Sequence, residues 1–208
     1  MTDPIRDHDR TADLFADIRP PGQDELQVLH LRLEVTAEAK GLLDVAYRTV
    51  DTPVGTLLLA ATPAGLVRVA YEREGLDGVL EGLARQLSPR ILSAPQRTDA
   101  AARQLEEYFA GDRNRFDLPL DLSLSRGFRR TVLSYLPRIG YGKTASYGEV
   151  AAAVHNPKAV RAVGTACATN PLPLIVPCHR VIRTDGLIGS YLAGPEVKQQ
   201  LLDLEAGA

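Results

Sequence analysis

The densest grouping of reactive side chains is Pro177-Cys178-His179-Arg180-Val181, which follows the apolar run Leu174-Ile175-Val176. A thiolate is a strong nucleophile, and a nearby imidazole with positive potential lowers a thiol's pKa toward the working range. Cys178 is therefore a candidate nucleophile. In an extended segment neighbouring side chains point to opposite faces, so His179 is expected to reach the sulfur through a bridging water. A third group must orient the imidazole. Glu205 offers a carboxylate, and carboxylate, imidazole, water and thiol in line follow triad logic. The residue types leave a second reading open, because free cysteines are commonly small buried apolar side chains.

Composition narrows the chemistry. Of the 208 residues only Cys167 and Cys178 are cysteines, too few for a disulfide framework or a four-ligand zinc site. Cys167, 11 positions before Cys178, reads as a buried helix residue. The chain has no Gly-rich phosphate loop, so neither metal nor cofactor is expected. It also lacks the roughly 20 successive apolar residues that would cross a bilayer, and the opening MTDPIRDHDR is too charged for a secretory core. The expectation is a cytoplasmic protein with no membrane partner.

The formal charge of −2 hides an asymmetry. Residues 1–46 hold ten acids and five bases, whereas residues 126–183 hold nine bases and one acid, Glu149. The second segment attracts polyanions.

The elements follow from periodicity. After the Pro20-Pro21-Gly22 break comes a short amphipathic stretch near Leu26 to Leu33. From Val45 the sequence reads as three short strands in an antiparallel meander, with turns at Thr52-Pro53 and Thr62-Pro63-Ala64-Gly65. Helical spacing follows over Leu76 to Leu87 and Ala100 to Ala110. Past residue 125 the chain turns helical, over Gly127 to Leu136, Tyr147 to Val154, Lys158 to Thr169 and Pro195 to Glu205. Ser146 and Glu149 form a capping-box pair, and His155-Asn156-Pro157 is a tight break, which together predict a helix-turn-helix. Asp185-Gly186 signals a hairpin that would supply a wing. The predicted class is α/β (α+β). A 1–45 acidic extension precedes a strand-rich α/β domain at 46–125 and a mostly helical domain with a winged helix-turn-helix at 126–208.

The segment Asn170-Pro171-Leu172-Pro173-Leu174-Ile175-Val176-Pro177-Cys178-His179-Arg180-Val181 resembles the active-site signature of the O6-alkylguanine-DNA alkyltransferase family, also called methylated-DNA-protein-cysteine methyltransferases. SYGEVAAAVHNPKAVRAVGTACATNP resembles the family's helix-turn-helix, and IGSYLAGPEVKQQLLDLE resembles its substrate loop and final helix. The resemblance covers roughly residues 126–205, and the part from about 46 to 125 is compatible with the family's N-terminal domain.

The resemblance implies direct-reversal repair of double-stranded DNA by a monomer acting once. The alkyl group of O6-alkylguanine, and that of O4-alkylthymine, would pass to Cys178 after base flipping. His179 would be the base, Glu205 its orienting partner, Asn170 a hinge and Arg161 the finger that fills the base stack. Tyr147 would crowd a phosphate and donate to the base. Pro173, Val181, Tyr191, Leu192 and Ala193 would form the substrate pocket. Leu192 stands where some members carry serine, which leaves its backbone amide for the guanine oxygen; Ala193 stands where they carry glycine, which points to a narrower pocket suited to methyl; and Ala168 stands where some place a basic DNA contact, which points to weaker binding.

Base chemistry asks for the same parts, since the alkylated oxygen lies inside the duplex until the nucleotide is rotated out. Arg161, read as mid-helix, can displace a base. Ala159, Ala162, Gly164 and Ala166 give its helix a low-bulk face suited to a narrow groove. Without the motif that face would read as close helix packing. Two other classes share these features, a non-catalytic damage sensor and a winged-helix regulator, and the presence of Cys178 argues against the sensor.

Overall fold

A computed structural model describes residues 21–207; residues 1–20, which carry much of the acidic lead, lie outside the described residues. The three expected strands form β1 (Val45–Val50), β2 (Leu57–Thr62) and β3 (Gly65–Tyr71), paired antiparallel. A short β4 (Ile91–Ser93) adds parallel to β1, giving the order β3-β2-β1-β4. Three residues are too few to carry a period of two, so β4 has no sequence signature. The β2–β3 turn requires Gly65: at φ +137° its backbone passes so close to the Pro119 carbonyl that a Cβ would lie 2.2 Å from the oxygen.

Strand β2 is apolar from Leu57 to Ala61 because both its faces are covered. Leu58 and Ala60 meet Leu83 of α2 (Leu76–Gln86), whereas Leu57 and Leu59 face Leu105 and Tyr108 of α3 (Asp99–Phe109). The second cluster continues without a break into the C-terminal half through Val132, Leu133, Leu172 and Val176. The sheet thus shares one core with the C-terminal half.

The C-terminal half holds α4 (Gly127–Tyr135), β5 (Ala145–Ser146), α5 (Tyr147–Ala153), α6 (Val160–Ala168), β6 (Val181–Ile182) and α7 (Pro195–Ala206). The capping box forms as expected: Glu149 N–H donates to Ser146 Oγ at 3.1 Å, and Ser146 N–H to Glu149 Oε2 at 2.6 Å. The turn between α5 and α6 holds His155 at φ +59°, and Ala159 N–H closes a turn on the Asn156 carbonyl at 2.9 Å. Helix α6 therefore starts at Val160 rather than Lys158. Arg161 lies in its first turn, which corrects the mid-helix placement. The Asp185-Gly186 signal forms a turn closed by Arg183 N–H on the Leu187 carbonyl at 2.9 Å. Its strand, β6, pairs in parallel with β5 instead of with a hairpin partner.

The stretch near Leu26 to Leu33 belongs to a longer helix, α1 (Gln23–Ala39). Its leucines at 26, 29, 31 and 33 are exposed, and the side it lays on the body carries His30, Glu34 and Ala37. His30 Nε2 lies 2.7 Å from the Ser93 carbonyl, and Arg97 donates to Glu38 Oε2 at 2.5 Å.

Candidate active site

The segment from Asn170 to Val181 is buried over its whole length. With Pro171, Pro173 and Pro177 it cannot make a regular helix or strand ladder. Its shape comes instead from tight turns, Ile175 N–H to the Pro173 carbonyl at 2.9 Å and Cys178 N–H to the Val176 carbonyl at 2.8 Å. Leu174 is held at φ +71°, a costly conformation for a branched residue. Asn170 ties the segment together. Its Nδ2 donates to the Val176 carbonyl at 2.8 Å and to Cys178 Sγ at 3.2 Å, while its Oδ1 accepts from Leu172 N–H at 3.0 Å.

Cys178 opens a 3₁₀ turn, Cys178–Arg180, rather than lying in an extended run. Successive side chains on such a turn are about 120° apart, so the Sγ and the neighbouring imidazole still diverge. Cys178 is 3% exposed. Burial pushes its pKa up to about 11, against the opposing pull of the Asn170 hydrogen bond and the Lys198 charge. The resting group is a thiol, contrary to the expectation of a lowered pKa, because desolvation outweighs the positive potential.

The carboxylate of Glu205, on α7, collects its neighbours. Its oxygens accept from His179 Nε2 at 2.8 Å, Arg180 Nε and Nη2 at 2.9 Å each, Tyr108 Oη at 2.7 Å and Gly142 N–H at 3.2 Å. Burial alone would raise the carboxyl, but the hydrogen bonds from His179 and Arg180 outweigh it and hold the group at about 2. Burial also pushes the His179 imidazole below its ordinary value, against the pull of Glu205, so the ring is neutral near pH 7. A carboxylate can only accept, so Nε2 carries the ring proton and Nδ1 is left basic. That Nδ1 is buried and makes no hydrogen bond to any described residue.

Three residues that sequence reasoning passed over complete this interior. Arg180 also donates Nη1 to the Ile139 carbonyl at 2.6 Å. Tyr108 comes from α3, in the N-terminal half. Lys198 on α7 is buried and donates Nζ to the Val181 carbonyl at 2.5 Å and to the Ile188 carbonyl. A signal for Lys198 was present: Lys198, Leu201 and Glu205 fall at i, i+3 and i+7, so two charges occupy the buried stripe of one helix.

A cavity of about 440 Å³ opens beside this interior, lined by residues including Tyr147, Gly164, Cys167, Ala168, Arg183 and Gly189. Burial raises the Tyr147 phenol, which keeps it a protonated donor. A Cβ on Gly189, at φ +68°, would sit 3.3 Å from Tyr147 Oη, so glycine leaves the hydroxyl room. Tyr191, Leu192 and Ala193 follow on the same loop, with Ala193 buried. On α6, Arg161, Ala162 and Ala168 are exposed and Gly164 is half-buried, as is Ala159 just before the helix. Ala166 is buried in the core, so it leaves the proposed low-bulk face. The Val181 carbonyl already accepts from Lys198, and Pro173 is buried. Among the described residues no three His, Cys, Asp or Glu side chains group as a metal ion requires.

Residues 45–122 match the family described as 6-O-methylguanine DNA methyltransferase, ribonuclease-like domain, and residues 127–207 match its DNA binding domain. A methylated-DNA-protein-cysteine methyltransferase of Mycolicibacterium paratuberculosis is 40% identical over 161 residues, which cover 77% of this chain and 92% of the relative. The chain belongs to the methylated-DNA-protein-cysteine methyltransferase family. The constitutive methyltransferase of Bacillus subtilis is 38% identical, over 76% of this chain and 94% of its own. The crystal structure of Mycobacterium tuberculosis O6-methylguanine methyltransferase has a TM-score of 0.68 at 38% identity, covering 78% of this chain and 93% of that one. That of Mycobacterium tuberculosis OGT in complex with DNA has a TM-score of 0.66 at 39% identity, with the same coverage. The first 44 residues precede both matched regions of this methyltransferase chain.

The buried charges give this methyltransferase a defined pH dependence. An unfolded glutamate titrates near 4.5 and an unfolded histidine near 6.5, whereas the folded Glu205 and His179 resist protonation. Acid therefore favours the unfolded chain below about pH 6.5. In alkali the unfolded thiol loses its proton near 9.0 while folded Cys178 keeps its own to about 11, so stability falls across that interval. Urea midpoints should peak between these limbs and drop at about pH 5 and about pH 10. A midpoint unchanged from neutrality to about pH 10 would contradict the buried-thiol assignment.

Proposed function

We infer that this chain performs direct-reversal DNA repair, moving a methyl group from DNA onto a cysteine of its own. The acceptor is Cys178. The observation that carries this reading is two buried hydrogen-bonded pairs on adjacent residues, Asn170 with Cys178 and Glu205 with His179.

The substrate is O6-alkylguanine, and by the same geometry O4-alkylthymine, in double-stranded DNA. The exposed first turn of α6 enters the duplex, Arg161 takes the place of the lesion, and Ala162, Ala159 and Gly164 permit close approach. Tyr147 crowds the backbone and donates its hydroxyl to the base. The rotated base enters between α6 and the loop of Tyr191, Leu192 and Ala193, with Pro173 and Val181 at the back.

Sulfur attacks the alkyl carbon in line with the carbon–oxygen bond. A carbon–sulfur bond forms as the bond to the guanine oxygen breaks. The thiol proton passes through a water to His179 Nδ1, the imidazolium is stabilised by Glu205, and the proton finally replaces the alkyl group on the departing base. The tautomer set by Glu205 suits this step, because Nδ1 is the free base. The product thioether has no carbonyl or phosphoryl group for water to attack, so each molecule acts once.

The domain division at 1–45, 46–125 and 126–208, a monomeric state and a cytoplasmic location complete the reading. No helix among the described residues is long and apolar enough to cross a membrane.

Incubation with a duplex carrying one O6-methylguanine should clear lesions up to one equivalent of protein and then stop. Turnover beyond one equivalent, or no clearance, would overturn the reading. Arg161→Ala should slow repair of the duplex by roughly tenfold to a hundredfold, the scale of a lost flipping contribution, while reaction with the free modified base stays near wild type. Equal slowing of both would argue against the finger role.

A further inference from the structure

Strand β3 and the 3₁₀ turn that continues it, Glu72–Glu74, meet the Asn170–Val181 segment and the Tyr191–Ala193 loop at every second residue. Val69 N–H donates to the Pro171 carbonyl at 2.8 Å. The Tyr71 hydroxyl lies 2.9 Å from the Tyr191 hydroxyl, and the Arg73 guanidinium donates to the Ala193 carbonyl. Tyr71 and Tyr191 meet edge to face, with centroids 6.0 Å apart, and Tyr191 meets the His179 ring in the same way at 6.4 Å. Arg73 packs so tightly on Gly194 that a Cβ there would lie 2.6 Å from Nη1.

The pins are themselves braced. Tyr71 is 2% exposed, its N–H donates to Glu74 Oε1 at 2.8 Å, and Glu74 pairs with Arg68. The loop from Tyr191 to Ala193 has no helix or strand of its own, so its position is set by what it is tied to. The transfer chemistry uses neither Tyr71 nor Arg73.

We propose that Tyr71 and Arg73 are positioning residues through which the N-terminal sheet fixes the wall of the alkyl pocket and sets the largest alkyl group it admits. This rests on the alkyl-transfer reading above. A methyl group fits without moving the wall. A benzyl group needs the Tyr191 ring or the Ala193 backbone to retreat, which breaks a pin and, at Tyr71, strips a buried hydroxyl of its partner. Releasing the pins therefore speeds transfer of bulky groups far more than transfer of methyl.

The test measures single-turnover alkylation of Cys178 by mass, using an O6-methylguanine duplex and free O6-benzylguanine. Wild type, Tyr71→Phe, Arg73→Met and Arg73→Lys are compared, with melting temperatures alongside. The benzyl-to-methyl rate ratio should rise about tenfold in Tyr71→Phe and Arg73→Met, the scale of one lost hydrogen bond, and return toward wild type in Arg73→Lys. If Arg73→Met does not fold, the near-isosteric Tyr71→Phe decides. A ratio unchanged in a protein that accepts methyl, or both rates falling by one factor, would overturn the proposal alone. A wild-type chain left unmodified by both substrates would overturn the transfer reading and this proposal with it.

Discussion

Glu205→Ala is expected to destabilise the fold by about 3–5 kcal/mol, because it leaves Arg180 as a buried charge without its carboxylate. Arg180 Nε and Nη2 and the Tyr108 hydroxyl lose their acceptor at once, in a site where the Glu205 side chain is 1% exposed. Glu205→Gln keeps the shape and separates stability from chemistry. Its amide can donate to His179 Nε2, which moves the ring proton to Nδ1 and removes the base. Transfer should then fall by about 10²–10⁴-fold, the usual worth of a positioned acid-base group. Urea unfolding reads the first effect and single-turnover kinetics the second. A Gln variant that repaired at the wild-type rate would mean that Glu205 serves packing only.

Cys178→Ser should abolish transfer, lowering it by at least about ten-thousandfold, as loss of an enzyme nucleophile does. The substitution exchanges one buried group for another of similar size, so DNA binding should persist. Cys167 makes the comparison informative. It is the other free thiol, it lines the 440 Å³ cavity, and its own pKa is raised by burial. Cys167→Ala should keep single-turnover repair near wild type. Retained transfer in Cys178→Ser together with loss in Cys167→Ala would reassign the acceptor.

Much of this arrangement was legible in the sequence. The apolar strands after Val45, the capping box at Ser146 and the helical stripes over 76–87 and 100–110 each announce themselves by period or cap, and the structure places them within a residue or two. The His179–Glu205 partnership follows from triad logic applied to the closing helix, which carries Glu205 among its carboxylates. Other parts were not readable, for definite reasons. Tyr108 sits on the apolar stripe of α3, where an aromatic ring signals packing and its hydroxyl contact with Glu205 97 residues away has no local trace. Tyr71 and Arg73 act across separations of 120 residues, which spacing alone cannot reveal. The thiol's raised pKa depends on complete burial of the Pro-rich segment, a property of the folded core. The exposed leucines of α1 broke an amphipathic expectation, because that helix docks through His30 and Glu38.

The most direct measurement is the mass of the wild-type chain, and of its proteolytic peptides, after exposure to DNA carrying O6-methylguanine. The account predicts a gain of one methyl group, confined to the peptide that holds Cys178 and matched mole for mole by restored guanine. Restored guanine with an unmodified chain, or a methyl group found on any other residue, would contradict it.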